Sequence, residues 1–428
     1  MLDIKLLREN PEIVKNNLKK RRDEEKLKLI DIILEKDKKT RYLTVELEKL
    51  KQRKNQMSQE INQAKKQNKD IAPLLQEMKQ LPEKIIQVEQ QTAQLKEELL
   101  SNLQRLPNIM HESVPYGKDD TENIVVKTRG KIKKQKFEIK SHAELAEQLD
   151  IADFTNAGKT TGKGFYFLKG DLALLNQALI RFAIDFLIKK GYTYIEPPYM
   201  IRKAVCDGVT DYEFFKNMIY KIENEDLHLI ATSEHPIVGL FMNSTIPKEK
   251  LPLKFVGYSA CFRKEIGSHG VDEKGLFRVH QFHKVEQVIF CEPEQSWKLH
   301  EELLANSEVL FKALELPYQI VNVCTGDLGI VAAKKYDLEV YMPRQQKYRE
   351  ACSCSNCTDY QARRMDIKFG VPGAAGNKFV HTLNNTAIAT SRALVAILEN
   401  YQNKDGSITV PKALVKYMNG KKKIGSNV

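Results

Sequence analysis

At 428 residues the chain is too long for one small core, and its 42% of hydrophobic residues is enough apolar material for two domains. Charged residues make up 29%, no run of eighteen apolar residues occurs, and the opening MLDIKLLREN carries charges where a signal peptide needs an apolar stretch. A membrane protein and a secreted one are thereby excluded, and a cytoplasmic location is expected. In chain order the first feature is charge. The net formal charge is +12, and between Lys15 and Lys69 there are 18 Lys and Arg against 9 Asp and Glu. Such a local excess is the footprint of a polyanion partner, nucleic acid foremost.

The same region carries heptads. Leu43, Leu47, Leu50, Lys54, Met57, Ile61 and Ala64 alternate at spacings of four and three, and so do Leu74, Met78, Leu81, Ile85, Val88, Thr92, Leu95 and Leu99. The polar QNKDIAP between them, with Pro73, cannot continue a helix, so the pattern predicts an antiparallel helical hairpin rather than a homodimeric coiled coil. Pro82 should kink the second helix or start it afresh. Residues 1–106 are therefore taken as a helical arm and 107–140, poor in periodicity, as a linker.

Residues 141–428 read as a second domain. Asp171 precedes a helix with Leu175, Leu179, Phe182 and Phe186 inward, ended by Gly191. Short strands then mix with helices without βαβ alternation, which predicts an antiparallel α+β domain. With no Walker A sequence and no GxGxxG after a strand, the parallel-sheet nucleotide folds are not supported.

Three stretches carry chemistry. On FRVHQFHKVEQVIF, strand alternation puts Arg278, His280, Phe282, Lys284 and Glu286 on one side and Val279, Val285 and Ile289 on the other. Two cations, a ring and a carboxylate make a floor for a ligand: the ring stacks a base while guanidinium holds phosphate. In LIATSE a carboxylate, Glu234, follows two hydroxyls, Thr232 and Ser233, and suits an ammonium group. In KFVHTLNNTAIATSRALVAILENYQ a strand turns into a helix with Arg392 in its first turns, a place that invites phosphate. The seven cysteines are an odd number in a cytosolic-looking chain, so no disulfide framework is expected. Cys352, Cys354 and Cys357 cluster without a fourth zinc ligand, so no zinc is expected.

Together these segments resemble the three signature motifs of class II aminoacyl-tRNA synthetases. The first is the helix ending at Gly191 with Tyr194-Ile-Glu-Pro-Pro198, and the second is Phe262-Arg263-Lys264-Glu265 with Arg278 and Phe282. The third is the strand–helix unit with Arg392. TSE, GLFRVHQFHKVEQ, YREACSCSNCTDYQARR, HTLNNTAIATSR and the arm resemble the seryl-tRNA synthetase family over essentially the whole chain.

The resemblance implies an antiparallel-sheet class II catalytic domain that forms a homodimer partly through the first motif, and an arm that grips tRNA(Ser). It implies activation of L-serine by ATP and transfer to that tRNA, with tRNA(Sec) also served where present. It implies ATP binding by Arg263, Lys264, Glu265, Arg278, Val279, Phe282, Glu350, Ala351, Cys352, Ser353 and Arg392, with Arg263 and Arg392 catalytic. Glu350 and Ser353 would hold Mg²⁺, and Thr232, Ser233, Glu234, Arg263, Glu286, Asn384 and Thr386 the serine. Asn385 and Thr386 depart from the smaller residues of many family members, and His269 is a candidate for approaching the tRNA end. Other classes are a noncatalytic paralogue, which should have lost Arg263, Glu350 or Arg392, and a carrier-protein-charging paralogue, which should lack the arm. A threonine or proline enzyme should carry a further C-terminal domain where only a short stretch ending in GKKKIGSNV follows.

Overall fold

Residues Glu24–Lys66 form one long helix, α1, and Ala72–Arg105 a second, α2. The computed structural model describes residues 1–265 and 275–425. Asp23 caps α1, its carboxylate accepting the Lys26 N–H at 3.1 Å. Pro73 falls in the first turn of α2, where its missing N–H has no helical partner to lose. Pro82 does not restart α2, which runs unbroken to Arg105. Ion pairs join Lys36 to Glu98, Lys51 to Glu89 at 2.6 Å and Arg53 to Glu77 at 3.1 Å. One number rises as the other falls, so the two helices are antiparallel. Every heptad position named above is buried or half-buried except Lys54. With two short helices, Ile4–Glu9 and Pro11–Lys20, the hairpin makes up the unit Met1–Pro107.

The unit Asn108–Val428 is built on an eight-stranded sheet. Its strands in chain order are β1 (Ile124–Arg129), β2 (Thr193–Ile195), β3 (Leu253–Phe262), β4 (Gln281–Cys291), β5 (Tyr318–Asn322), β6 (Lys334–Met342), β7 (Lys347–Asn356) and β8 (His381–Ala389). Across the sheet they run β1-β5-β6-β7-β8-β4-β3-β2, and every pairing is antiparallel except β2 with β3. β1 lies inside the stretch read as a linker. It is an edge strand with one neighbour, and Ile124, Val125 and Val126 stay half exposed, which leaves no inside–outside alternation to read.

One face of the sheet is covered by helices α4 (Gly170–Lys189), α5 (Ser296–Ala313) and α6 (Thr390–Asn400), with α3 (His142–Gln148) packed against α6. Leu175 and Leu179 of α4 and Leu394, Ile397 and Leu398 of α6 are buried with Val285, Ile289, Leu338 and Val340 of the strands. At about 25 cal/mol per Å² of apolar area this layer dominates the folding energy. Gly191, at φ +85°, ends α4 as expected. The opposite face carries the polar side chains of β4, β6 and β7, and the site forms there. Among the described residues no helix is long and apolar enough to cross a membrane.

Candidate active site

Pleat alternation along β4 sends Phe282, Lys284 and Glu286 to the polar face and Val285 and Ile289 to the core. Arg263 enters from the end of β3, its main-chain N–H held by the His280 carbonyl at 2.9 Å. Arg278 reaches in from just before β4, and Arg392 from the third residue of α6. They meet around a cavity of about 110 Å³ lined by Arg263, Glu265, Phe277, Arg278, Val279, Phe282, Lys284, Glu350, Ala351, Ser353, Thr386, Ala389, Ser391 and Arg392. Four cations against two carboxylates make it positive. The Arg263 guanidinium lies 5.3 Å over the Phe282 ring. Arg392 lies 4.0 Å over Phe277 and donates to the carbonyls of Phe277 at 3.0 Å and Glu350 at 2.6 Å. Among the described residues Arg278 Nε is buried without a hydrogen-bond partner; its carboxylate neighbour, Glu265, is 3.8 Å away.

A bulge puts Glu350 and Ser353 on one face. Three residues apart on a regular strand they would point oppositely, but β7 slips against β6: Cys352 pairs with Leu338 and Glu350 with Glu339, leaving Ala351 as the extra residue. Burial would push the Glu350 carboxyl up, but Arg392, Lys335, Arg263 and Lys284 outweigh it and hold it below the usual range. Beside them Asp337, 5% exposed, is raised by burial against the pull of Lys335, and its Oδ1 has no hydrogen-bond partner among the described residues.

At the far end of β4 the polar groups converge on Glu286. Lys284 Nζ sits 2.5 Å from its Oε1. Oε2 accepts the Thr232 hydroxyl, the Ser233 hydroxyl at 3.0 Å and the Glu234 N–H at 3.1 Å. Burial raises this carboxyl, yet the ammonium and these donors prevail and hold it at about 2. Glu234 next to it is different. Its Oε1 accepts from the amides of Gln361 at 2.8 Å and Asn384 at 2.9 Å, and burial together with the nearby Glu286 raises it to about 7. Thr386, on β8, stands opposite Glu286 in register.

Residues 215–401 match the family model of the tRNA synthetase class II core domain (G, H, P, S and T), and residues 1–110 that of the seryl-tRNA synthetase N-terminal domain. The chain is 52% identical over 421 residues to the serine–tRNA ligase of Methanocella arvoryzae, covering 98% of this chain and 99% of that one. It is 48% identical over 437 residues to that of Pyrococcus horikoshii, covering 97% and 96%. The chain belongs to the seryl-tRNA synthetase family. Among solved structures, the seryl-tRNA synthetase of Pyrococcus horikoshii complexed with ATP superimposes with a TM-score of 0.93 at 47% identity, covering 99% of each chain. The cytoplasmic serine–tRNA ligase of Naegleria fowleri with AMP gives 0.87 at 34%, covering 99% of this chain and 98% of that one.

Not every residue expected from the seryl-tRNA synthetase motifs lines the cavity. Lys264 turns away, its Nζ 5.5 Å over the Tyr220 ring and its N–H on the Met218 carbonyl. Cys352 points into the core, its thiol toward the Ala387 carbonyl at 3.6 Å, because the bulge sets it on the face opposite Glu350. Asn385 is no pocket wall: its amide donates to the Leu303 carbonyl and the Ser307 hydroxyl of α5. His280 leaves the expected row to stack on Phe165 at 5.1 Å and meet the Tyr220 hydroxyl, since β4 begins only at Gln281. Cys354 and Cys357 face separate partners, His300 and Asn384, and burial keeps both thiols well above their ordinary value. His269 lies outside the described residues. Sequence reasoning missed Gln361 and Phe277 and gave Lys284 no task; the run of cationic and acidic residues at 284 and 286 was the one available signal.

Proposed function

We infer that this chain activates L-serine with ATP and transfers the seryl group to tRNA(Ser). The observation that supports this best is the adjacency of two unlike polar sites on one strand. A positive cavity with aromatic and guanidinium groups adjoins the buried carboxylates of Glu286 and Glu234.

In this reading Phe282 and Arg392 hold the adenine ring and Glu265 its amino group. Arg278 and Arg392 meet the outer phosphates, the guanidinium being a donor of the right kind. Arg263 holds the α-phosphate and the serine carboxylate together, so nucleophile and phosphorus start side by side. Glu350 and Ser353 offer two hard oxygen donors on one wall of the cavity, which fits Mg²⁺, an ion that takes one or two protein ligands beside phosphate and water. Bound there, Mg²⁺ supplies neutralisation of charge on the phosphate oxygens. The serine carboxylate attacks the α-phosphorus, the bond to the bridging oxygen breaks, and pyrophosphate leaves. No side chain has to remove a proton in this step. The terminal ribose hydroxyl of the tRNA then attacks the seryl carbonyl, releasing AMP.

The acidic pocket sets the choice of amino acid. Glu234, ringed by amides and no cation of its own, receives the ammonium group. The hydroxyl of serine donates to Glu286 Oε1, where Lys284 is the other contact. Alanine and glycine leave that acceptor unmatched, and a site built to bond a hydroxyl can reject such analogues by about 10⁴. Threonine is excluded by the Thr386 wall. The basic excess of the arm supports phosphate contacts with tRNA. Leu174 and Ile188 on α4, with Tyr199 and Met200 after the edge strand β2, leave exposed apolar surface that supports a homodimer.

Pyrophosphate–ATP exchange with all twenty amino acids tests the reading. Exchange is expected with serine and almost none with threonine or alanine; exchange led by any other amino acid overturns it.

A further inference from the structure

One buried imidazole touches both halves of the nucleotide site and takes part in none of the steps above. His142, the first residue of α3, is 7% exposed. Its Nε2 accepts the main-chain N–H of Leu276 at 3.1 Å. A backbone N–H can only donate, so Nε2 carries the lone pair and Nδ1 the proton, which goes to Glu399 Oε1 at 3.1 Å. Glu399, 2% exposed, lies on α6, and its Oε2 accepts the Arg344 N–H at 3.1 Å in the turn between β6 and β7. Both ring nitrogens and both carboxylate oxygens are thereby used.

The approach of the ring to Leu276 is possible because residue 275 is glycine. Gly275 has φ +112°, and a Cβ there would stand 2.2 Å from His142 Nε2. Leu276 leads directly into Phe277 and Arg278. The Phe277 carbonyl takes Arg392 Nε at 3.0 Å, and its ring lies beneath the Arg392 guanidinium. Glu399 is two turns along the same helix as Arg392. The imidazole therefore ties the segment carrying Phe277 and Arg278 to the helix carrying Arg392.

We propose that His142 is a positioning residue for the nucleotide: through the Leu276 N–H and Glu399 it sets the spacing between Arg278 and Arg392 that ATP requires. This rests on the assignment of that cavity to ATP. Its effect belongs to ATP rather than to serine, because Glu234 and Glu286 are held by Gln361, Asn384, Lys284 and Thr232, none of which His142 touches.

The two ring nitrogens can be removed one at a time. In full-length enzyme, His142→Asn keeps a donor where Nδ1 stands and loses the acceptor; His142→Gln places an amide oxygen at the reach of Nε2. A buried N–H left without an acceptor costs enough to expect about a tenfold weaker ATP dissociation constant by calorimetry for His142→Asn, and less than about threefold for His142→Gln. In exchange assays the KM for ATP should follow the same order, and the KM for serine should stay within about twofold. Equal ATP affinities for the two variants, or a serine KM rising in step with that of ATP, would overturn the proposal. So would a fall in melting temperature with ATP affinity unchanged. Calorimetry with ATP alone needs no amino acid, so it still decides the role of His142 if serine specificity fails.

Discussion

The hairpin and the sheet-built unit each bury carboxylates, and they do not supply every one with a cation. In the hairpin Asp37 is 2% exposed and is matched by two guanidiniums, Arg8 at 2.7 and 2.5 Å and Arg41 at 3.0 Å. Burial raises its carboxyl, but the arginines win and hold it below the ordinary value. In the sheet-built unit Glu286 receives the same treatment from Lys284, whereas Glu234, at the start of the short helix Glu234–Gly239, is hydrogen-bonded by the neutral amides of Gln361 and Asn384 and rises to about 7. Asp37, whose cations are built in, serves the fold. Glu234, left at about 7, suits a cation from outside. The contrast sets Glu234 apart from Asp37 without reference to any relative.

The largest test of that division is removal. A chain lacking residues 28–104 should keep serine-dependent exchange within a few-fold and lose tRNA charging altogether; charging that survives would end the assignment of the arm. Next in size, Arg263→Ala should reduce exchange by about 10²–10³, the cost typical of removing a donor aimed at developing charge. In the hairpin, Met57→Ala empties a fully buried seam position and should cost about 2–5 kcal/mol in a denaturant titration of the arm. A matching loss of exchange activity would break the separation of the two regions.

The pH dependence follows from Glu234. Its folded value, about 7, lies above the ordinary 4.5, so as pH rises the unfolded chain loses this proton first. The group therefore takes away stability between 4.5 and 7, and its ionised form, the one we propose to receive the ammonium group, is complete only above 7. The KM for serine should then rise about tenfold per pH unit below that point while the KM for ATP does not, and Glu234→Gln should flatten the profile at a high KM. The smallest effect is expected at Lys51, whose exposed pair with Glu89 should be worth less than about 1 kcal/mol on Lys51→Ala.

How much of this was legible in the sequence follows the reach of each signal. The hairpin is written in local periodicity, and Leu43, Met57, Leu81 and Ile85 are buried where the heptads put them. Phe282, Lys284 and Glu286 share a face because alternation is local too. What could not be read depends on partners far along the chain. β1 was taken for linker because its register exists only against β5. Cys352 was carried into the site with its neighbours because a bulge, created by the pairing of β7 with β6, leaves no mark on the sequence. Gln361 could not be found, since nothing local marks an amide that will sit beneath Glu234, 127 residues earlier.

A crystal structure with a non-hydrolysable seryl-adenylate analogue is the most direct measurement. The expected result has the side-chain hydroxyl within hydrogen-bond distance of Glu286 Oε1, the ammonium group against Glu234, and the adenine between Phe282 and Arg392. A seryl group seated away from both carboxylates, or an adenine outside the arginine-lined cavity, would contradict it.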